Sequence, residues 1–138
     1  FTLIEILIVV VILAVLAAMV LPRFMGQTEN AYVAEGQQVL GVLRRAQANY
    51  FDTNNSYSAK TIAQTAADMS DLGLKAITAT NFSYSCDSSG ACTATRLGSA
   101  STAGGTIVLA IGGGFTCDGT KYVAVSSSDA SKGCKPGV

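Results

Sequence analysis

The feature that most constrains this chain is its first stretch, Phe1-Thr-Leu-Ile-Glu5-Ile-Leu-Ile-Val-Val-Val-Ile-Leu-Ala-Val-Leu-Ala-Ala-Met-Val-Leu21. It is apolar nearly throughout, and its one charged side chain is Glu5. At ~1.5 Å per residue, a helix over these residues is roughly 30 Å long, about the thickness of a bilayer's hydrocarbon core. A helix that is apolar on all sides has no face to offer water, so it must lie in lipid or among other helices. Glu5 stands about one turn inside that apolar region. A charge there is costly unless paired, and it marks a functional position by default. The nearest candidate partner is the α-amino group of Phe1 of a neighbouring copy. That contact would set one chain about one helical turn out of step with the next.

Three simpler readings account for less. A secretory signal peptide carries a basic n-region and a small-residue cleavage site; no Lys or Arg precedes Arg23, so the stretch is expected to stay with the chain. A generic single-span anchor explains the apolar run but not Glu5. A buried helix of a soluble domain is rarely apolar all round for this length.

Phe1-Thr2-Leu3-Ile4-Glu5, the unbroken apolar run to Leu21 and the following Pro22 closely resemble the mature N-terminus of type IV pilins and type II secretion pseudopilins. The motif covers about the first 25 residues and is highly specific. Beyond it, the chain is similar to that family only in plan. The resemblance implies that a leader is cut just before Phe1 by a prepilin peptidase, that Phe1 is N-methylated, and that Phe1 and Glu5 act in assembly. It also implies that the helix between roughly Ala14 and Pro22 can lose order in a filament.

The four cysteines, Cys86, Cys92, Cys117 and Cys134, all lie in the C-terminal part. An even number beyond a membrane-targeting segment reads as disulfides in an oxidising compartment. Zinc sites use closer pairs, typically Cys-x₂₋₄-Cys. The expected pairing is Cys86–Cys92 across one short turn, with Cys117–Cys134 closing a loop around the final strand. A crossed pairing, Cys86–Cys134 with Cys92–Cys117, stays open if the tail returns beside the first strand.

Pro22 lacks an N–H and clashes with the preceding turn, and Gly26 weakens the same region, so a kink or loosening is expected there. From Arg23 to Phe51 the pattern turns amphipathic. Tyr32, Gly36, Val39, Leu40, Leu43, Ala46 and Tyr50 form one stripe at helical spacing, with Glu29, Glu35, Gln37, Arg44, Arg45 and Asn49 largely off it. This predicts one interrupted helix from about Thr2 to Phe51, ended by the turn-forming run Asp52-Thr-Asn-Asn-Ser56. Thr61-Ile-Ala-Gln64 fits a capping box and predicts a short helix to about Met69. Phe82–Cys86 alternates strictly, Cys92–Leu97 does so more weakly, and Asp87-Ser-Ser-Gly90 reads as the turn between them. Thr106–Ile111 is continuous and apolar and is expected to be the central strand. Asp118-Gly119 predicts a hairpin joining Phe115–Cys117 to Lys121–Val125. Ser126–Val138 reads as a surface tail tied down by Cys134.

Little in the sequence points to catalysis. There is no His, which removes the commonest general base and transition-metal ligand. Gly112-Gly113-Gly114 lacks the Lys and Ser/Thr of a phosphate-binding loop. Asp118 and Asp129 could join backbone carbonyls around Ca²⁺, as a C-terminal loop does in the major pseudopilins the chain resembles, but no dense Asp/Asn loop accompanies them. No cofactor, metal or nucleic-acid partner is expected: net formal charge is +0, and the adjacent Arg44 and Arg45 read as a solvated face. Aromatic residues such as Phe1, Phe24, Tyr32, Tyr50, Phe51 and Tyr57 are expected to pack rather than conduct.

The expected fold is α+β, a long N-terminal helix packed on a small antiparallel sheet, as the pilin resemblance implies. Residues 1–24 form the hydrophobic helix and 25–138 the globular part: amphipathic helix 25–51, connecting region 52–80, and sheet with disulfides 81–138. The expected function is non-enzymatic, the structural subunit of a type IV pilus. Its partners would be further copies of itself, the inner membrane before assembly, the prepilin peptidase and the pilus assembly machinery. It would end in a filament on the cell surface. The alternatives are a pseudopilin of a type II secretion system and a membrane-anchored periplasmic binding module that never polymerises.

Overall fold

The computed structural model describes residues 1–62, 71–74, 81–126 and 129–137; for Met25, Ile62 and residues 129–131 it describes the backbone alone. One helix dominates. α1 spans Leu3–Asn54, 52 residues, or ~78 Å at 1.5 Å per residue. Its start is fixed by a capping box. Thr2 is the N-cap, its side chain accepts from the Glu5 N–H, and the Glu5 side chain accepts from the Thr2 N–H. The helix assignment runs through Pro22 and Gly26 without a break. It also runs three residues past the expected Phe51. There Asn55 turns left-handed, with φ 52°, and its N–H bonds to the Phe51 carbonyl at 2.7 Å. Thr53 Oγ1 and Asn54 Nδ2 each donate to the Tyr50 carbonyl. Polar side chains expected to end the helix thus satisfy the carbonyls of its last turn instead.

Among the described residues seven strands follow: β1 Lys60–Ile62, β2 Phe82–Cys86, β3 Cys92–Arg96, β4 Thr106–Leu109, β5 Phe115–Cys117, β6 Tyr122–Ser126 and β7 Asp129–Pro136. The first five make one antiparallel sheet in sequence order, and β6 and β7 make a separate two-stranded ribbon. Alternation places Phe82, Tyr84 and Cys86 of β2 and Cys92, Ala94 and Arg96 of β3 on the buried side. The helix contributes Val33, Leu40, Leu43 and Ala46 to the same core, with Tyr32, Val39 and Tyr50 packed against it. The β2–β3 turn is closed by Asp87, whose carboxylate accepts from the Ser89 and Ala91 N–H groups. Gly90 there has φ +81°, and a Cβ would meet the Tyr57 ring at 2.8 Å.

Four sequence expectations are corrected. Lys60-Thr61-Ile62 is an edge strand paired with β2, not the start of a helix; residues 63–69 of that expected helix lie outside the described residues. The Thr106–Ile111 strand stops at Leu109 and is fourth of five, so β3 is central. Ala110 enters a turn closed by its own N–H to the Gly114 carbonyl and by Gly113 N–H to its carbonyl. The expected hairpin at Asp118-Gly119 does not form, because β5 pairs with β4 and β6 pairs with β7. The expected tail is strand β7. Its partner β6 and the Cys117–Cys134 bond supply the order that its polar sequence lacks.

Both disulfides join the pairs favoured from the sequence. Cys86–Cys92 links directly opposed residues of β2 and β3. Cys117–Cys134 ties the large sheet to the ribbon.

Candidate functional site

Residues 1–24 carry a long exposed apolar surface. Every large apolar side chain described between Phe1 and Phe24 is at least half exposed, from Val9 at 51% to Phe1 at 113%. This helix is long and apolar enough to cross a membrane. A soluble monomer rarely leaves an apolar patch of more than a few hundred Å² open, so a surface of this extent marks a place for lipid or partners.

Glu5 sits on that surface. Its Oε2 accepts from the Thr2 backbone N–H at 2.7 Å and from the Thr2 hydroxyl at 3.0 Å. The Glu5 N–H donates to Thr2 Oγ1 at 3.4 Å. The other carboxylate oxygen, Oε1, has no partner among the described residues, and no ion pair there joins the Phe1 ammonium to any carboxylate. The capping box therefore orients Glu5 and leaves one oxygen and the neighbouring ammonium open. Sequence reasoning missed this device, although Thr-x-x-Glu at the head of an apolar run is its written signature.

The exposed half ends at a polar clamp. Glu29, read from the sequence as lying off the apolar stripe, is held by three elements. Arg96 of β3 donates from Nε to Oε1 at 2.8 Å and from a terminal nitrogen to Oε2 at 3.2 Å. The hydroxyls of Thr102 and Tyr122 donate to Oε1 at 2.6 and 3.1 Å. Arg96 also donates to the carbonyls of Asn81 and Leu97, and its guanidinium lies 4.7 Å from the centre of the Tyr32 ring. Burial pushes the Glu29 carboxyl up, but the Arg96 guanidinium and the two hydroxyls outweigh it and hold the group below its ordinary value. Burial, helped by the Glu29 charge, pushes the Tyr122 phenol up to about 12. Both stay in the form the clamp requires at neutral pH. One network thus fastens the helix to the large sheet, the β3–β4 loop and the ribbon. The signal in the sequence was positional. Arg96 falls on the inward face that Cys92 and Ala94 define, and a buried arginine must be paired.

Farther along, Gln37 Nε2 donates to the Cys134 carbonyl at 2.8 Å, holding the ribbon to the helix. Gln47 exchanges two hydrogen bonds with the Ser58 backbone and is fully buried. Arg44 is half-buried and covers Gly113, where a Cβ would lie 2.6 Å from its guanidinium. Phe51 stacks on Tyr57 with ring centres 4.6 Å apart.

Asp118, weighed above as a calcium ligand with Asp129, is occupied by donors. Its Oδ1 accepts the N–H groups of Thr120, Lys121 and Tyr122, and its Oδ2 accepts that of Thr106. Desolvation raises its carboxyl, but these four N–H groups together outweigh it and hold the group at about 2. These bonds to the backbone order the β5–β6 connection. Among the described residues, no group of three or more His, Cys, Asp or Glu is placed to hold a metal. Comparison of the chain with protein-family models and with curated proteins gave no match.

Proposed function

We propose that this chain is a pilin, the structural subunit of a type IV pilus with a type IV pilin fold. The observation that carries the reading is the uncovered apolar helix with Glu5 four residues from Phe1, mounted on a folded, disulfide-bonded domain. In the bilayer the first 24 residues are solvated by lipid. In a filament they are solvated by each other, so apolar surface stays out of water in both states. Glu5 Oε1 accepts the N-methylated ammonium of Phe1 of the next copy, which sets the axial step between subunits. N-methylation leaves that amine cationic, so the pair survives the modification. The chain waits in the inner membrane and is then assembled onto a fibre at the cell surface.

The same motif serves a secretion pseudopilin and a pilus subunit alike, and a non-polymerising anchored module would share the span. Electron microscopy of material sheared from cells, with the fibres identified by mass spectrometry, tests the choice. Extracellular fibres built of this chain are expected. Chain found solely in the membrane fraction, with no fibres, contradicts the pilus reading. Intact mass of the subunit tests Phe1: an unmodified Phe1–Val138 mass, after allowing for two disulfides, counts against N-methylation.

A further inference from the structure

Directly above the apolar segment the fold makes a groove that nothing so far accounts for. Arg23, Gln27 and Asn30 of α1 form one wall, Lys135 and Gly137 at the end of β7 form the other, and Gly26 leaves the helix side open. Its volume is about 440 Å³, within the range of small-ligand sites. Among the described residues, every side-chain polar group lining it is a cation or a carboxamide, and no side-chain carboxylate lines it. Arg23 and Lys135 are exposed, and neither forms an ion pair among the described residues. Glu29, the nearest acid on the helix, is consumed by Arg96, Thr102 and Tyr122. The side chains described there thus give the groove two cations and no acid. It opens two residues after Leu21, where the apolar run ends.

We infer that this groove binds the phosphate of an anionic phospholipid headgroup while the chain is in the membrane. The inference rests on the membrane span proposed above. With residues 1–22 in the hydrocarbon, Arg23 lies at headgroup depth, and the end of β7 brings Lys135 down beside it. Guanidinium and ammonium then meet a phosphate from two sides, with the Gln27 and Asn30 amides as neutral donors. The site holds the folded part against the bilayer in a fixed rotation about the helix axis, because its two cations come from different elements.

The test is electron paramagnetic resonance of the full chain reconstituted in phosphatidylcholine bilayers, with spin-labelled phosphatidylglycerol or spin-labelled phosphatidylcholine as probe. Lipid held at the protein surface gives a motionally restricted signal, and the two probes give a selectivity ratio. The wild-type chain is expected to prefer phosphatidylglycerol by about fivefold or more, since each cation near a membrane surface contributes a factor of roughly five. Arg23→Gln with Lys135→Gln is expected to bring the ratio near one. Arg45→Gln, an exposed cation far along the helix, should leave it unchanged. A ratio near one for the wild type, or a double variant that keeps its preference, overturns the proposal. Binding of inorganic phosphate by the detergent-solubilised chain together with a lipid ratio near one would assign the groove to free phosphate and overturn the lipid source. Absence of any restricted signal would remove the membrane span itself, and this site with it.

Discussion

The two halves of α1 share one backbone and differ in what surrounds them. Residues 3–24 are almost wholly apolar and leave their large side chains exposed, whereas residues 33–47 bury one face, Val33, Gly36, Leu40, Leu43, Ala46 and Gln47, against the sheet and the segment after the helix. Most helical stability in proteins comes from tertiary packing of one face. The second half obtains it within the chain. The first half must obtain it from outside, and the Glu29 clamp marks the boundary between them. The single helix thus belongs to two structures, one made by the chain alone and one made with lipid or other copies.

This division predicts that damage in one half leaves the other intact. The largest effect is expected from Glu5→Ala in cells lacking the unmutated subunit. Filament yield should fall to a trace, while membrane-inserted monomer keeps its level and its thermal midpoint. Glu5→Gln keeps shape and removes charge, and it should fall on the same side. Normal fibre yield from either variant would sever Glu5 from assembly.

Next is the clamp. Arg96→Ala leaves Glu29 buried without its cation, and removing one member of such a pair costs about 3–5 kcal/mol. Denaturant unfolding of the chain in detergent should show that loss in the globular part, with the helicity of residues 3–24 retained. A midpoint within error of wild type would mean that the clamp does not join the halves.

Cys117→Ser with Cys134→Ser follows. Removing a bond that closes a loop with separation 17 should cost roughly 3 kcal/mol. Hydrogen exchange should report faster opening of β6 and β7, since a two-stranded ribbon is marginal alone, with β2 and β3 changed far less. Uniform acceleration across both sheets would contradict a separately tethered ribbon.

The smallest effect is expected at Asp118. Asp118→Ala removes an acceptor of four N–H groups and should cost ~1–2 kcal/mol at neutral pH. Its folded-state value of about 2 lies below the ordinary carboxylate value near ~3.9. Its contribution is therefore full above about pH 4 and lost as pH falls through about 2. Glu29, also held low, adds stability with the same sign. The wild type should lose stability below pH 4 more steeply than Asp118→Ala, and parallel pH profiles would show that the loop does not use the ionised carboxylate.

What the sequence made legible follows the same division. The apolar run needed no tertiary context, because twenty-one residues without a polar face have few fates. β2 and β3 were readable because Phe82, Tyr84 and Cys86 alternate with serines and the turn between the strands is polar. The stripe at helical spacing from Tyr32 to Tyr50 marked the buried face of α1, although Val33 and Gln47 on that face were not foreseen. β1 and β7 were hidden. Lys60-Thr-Ile is short, and Asp129-Ala-Ser-Lys-Gly-Cys-Lys-Pro has weak strand propensity, so pairing with a neighbour decides both. The dipeptide Asp118-Gly119 is a hairpin signal, but its carboxylate binds Thr106 across the loop and closes a connection between two sheets instead. The clamp was obscured because Glu29 and Arg96 are 67 residues apart, and nothing local names a long-range ion pair.

The central claim is that the first half of α1 is completed by other copies of itself. The most direct measurement is a high-resolution image reconstruction of the fibre. The account predicts residues 1–24 in a central helix bundle, with the Phe1 nitrogen of one subunit within ~4 Å of a Glu5 carboxylate oxygen of its neighbour, the distance of an ion pair. A fibre held together by its globular parts, with these residues outside the subunit contacts or Glu5 bound solely to its own Thr2, would contradict it.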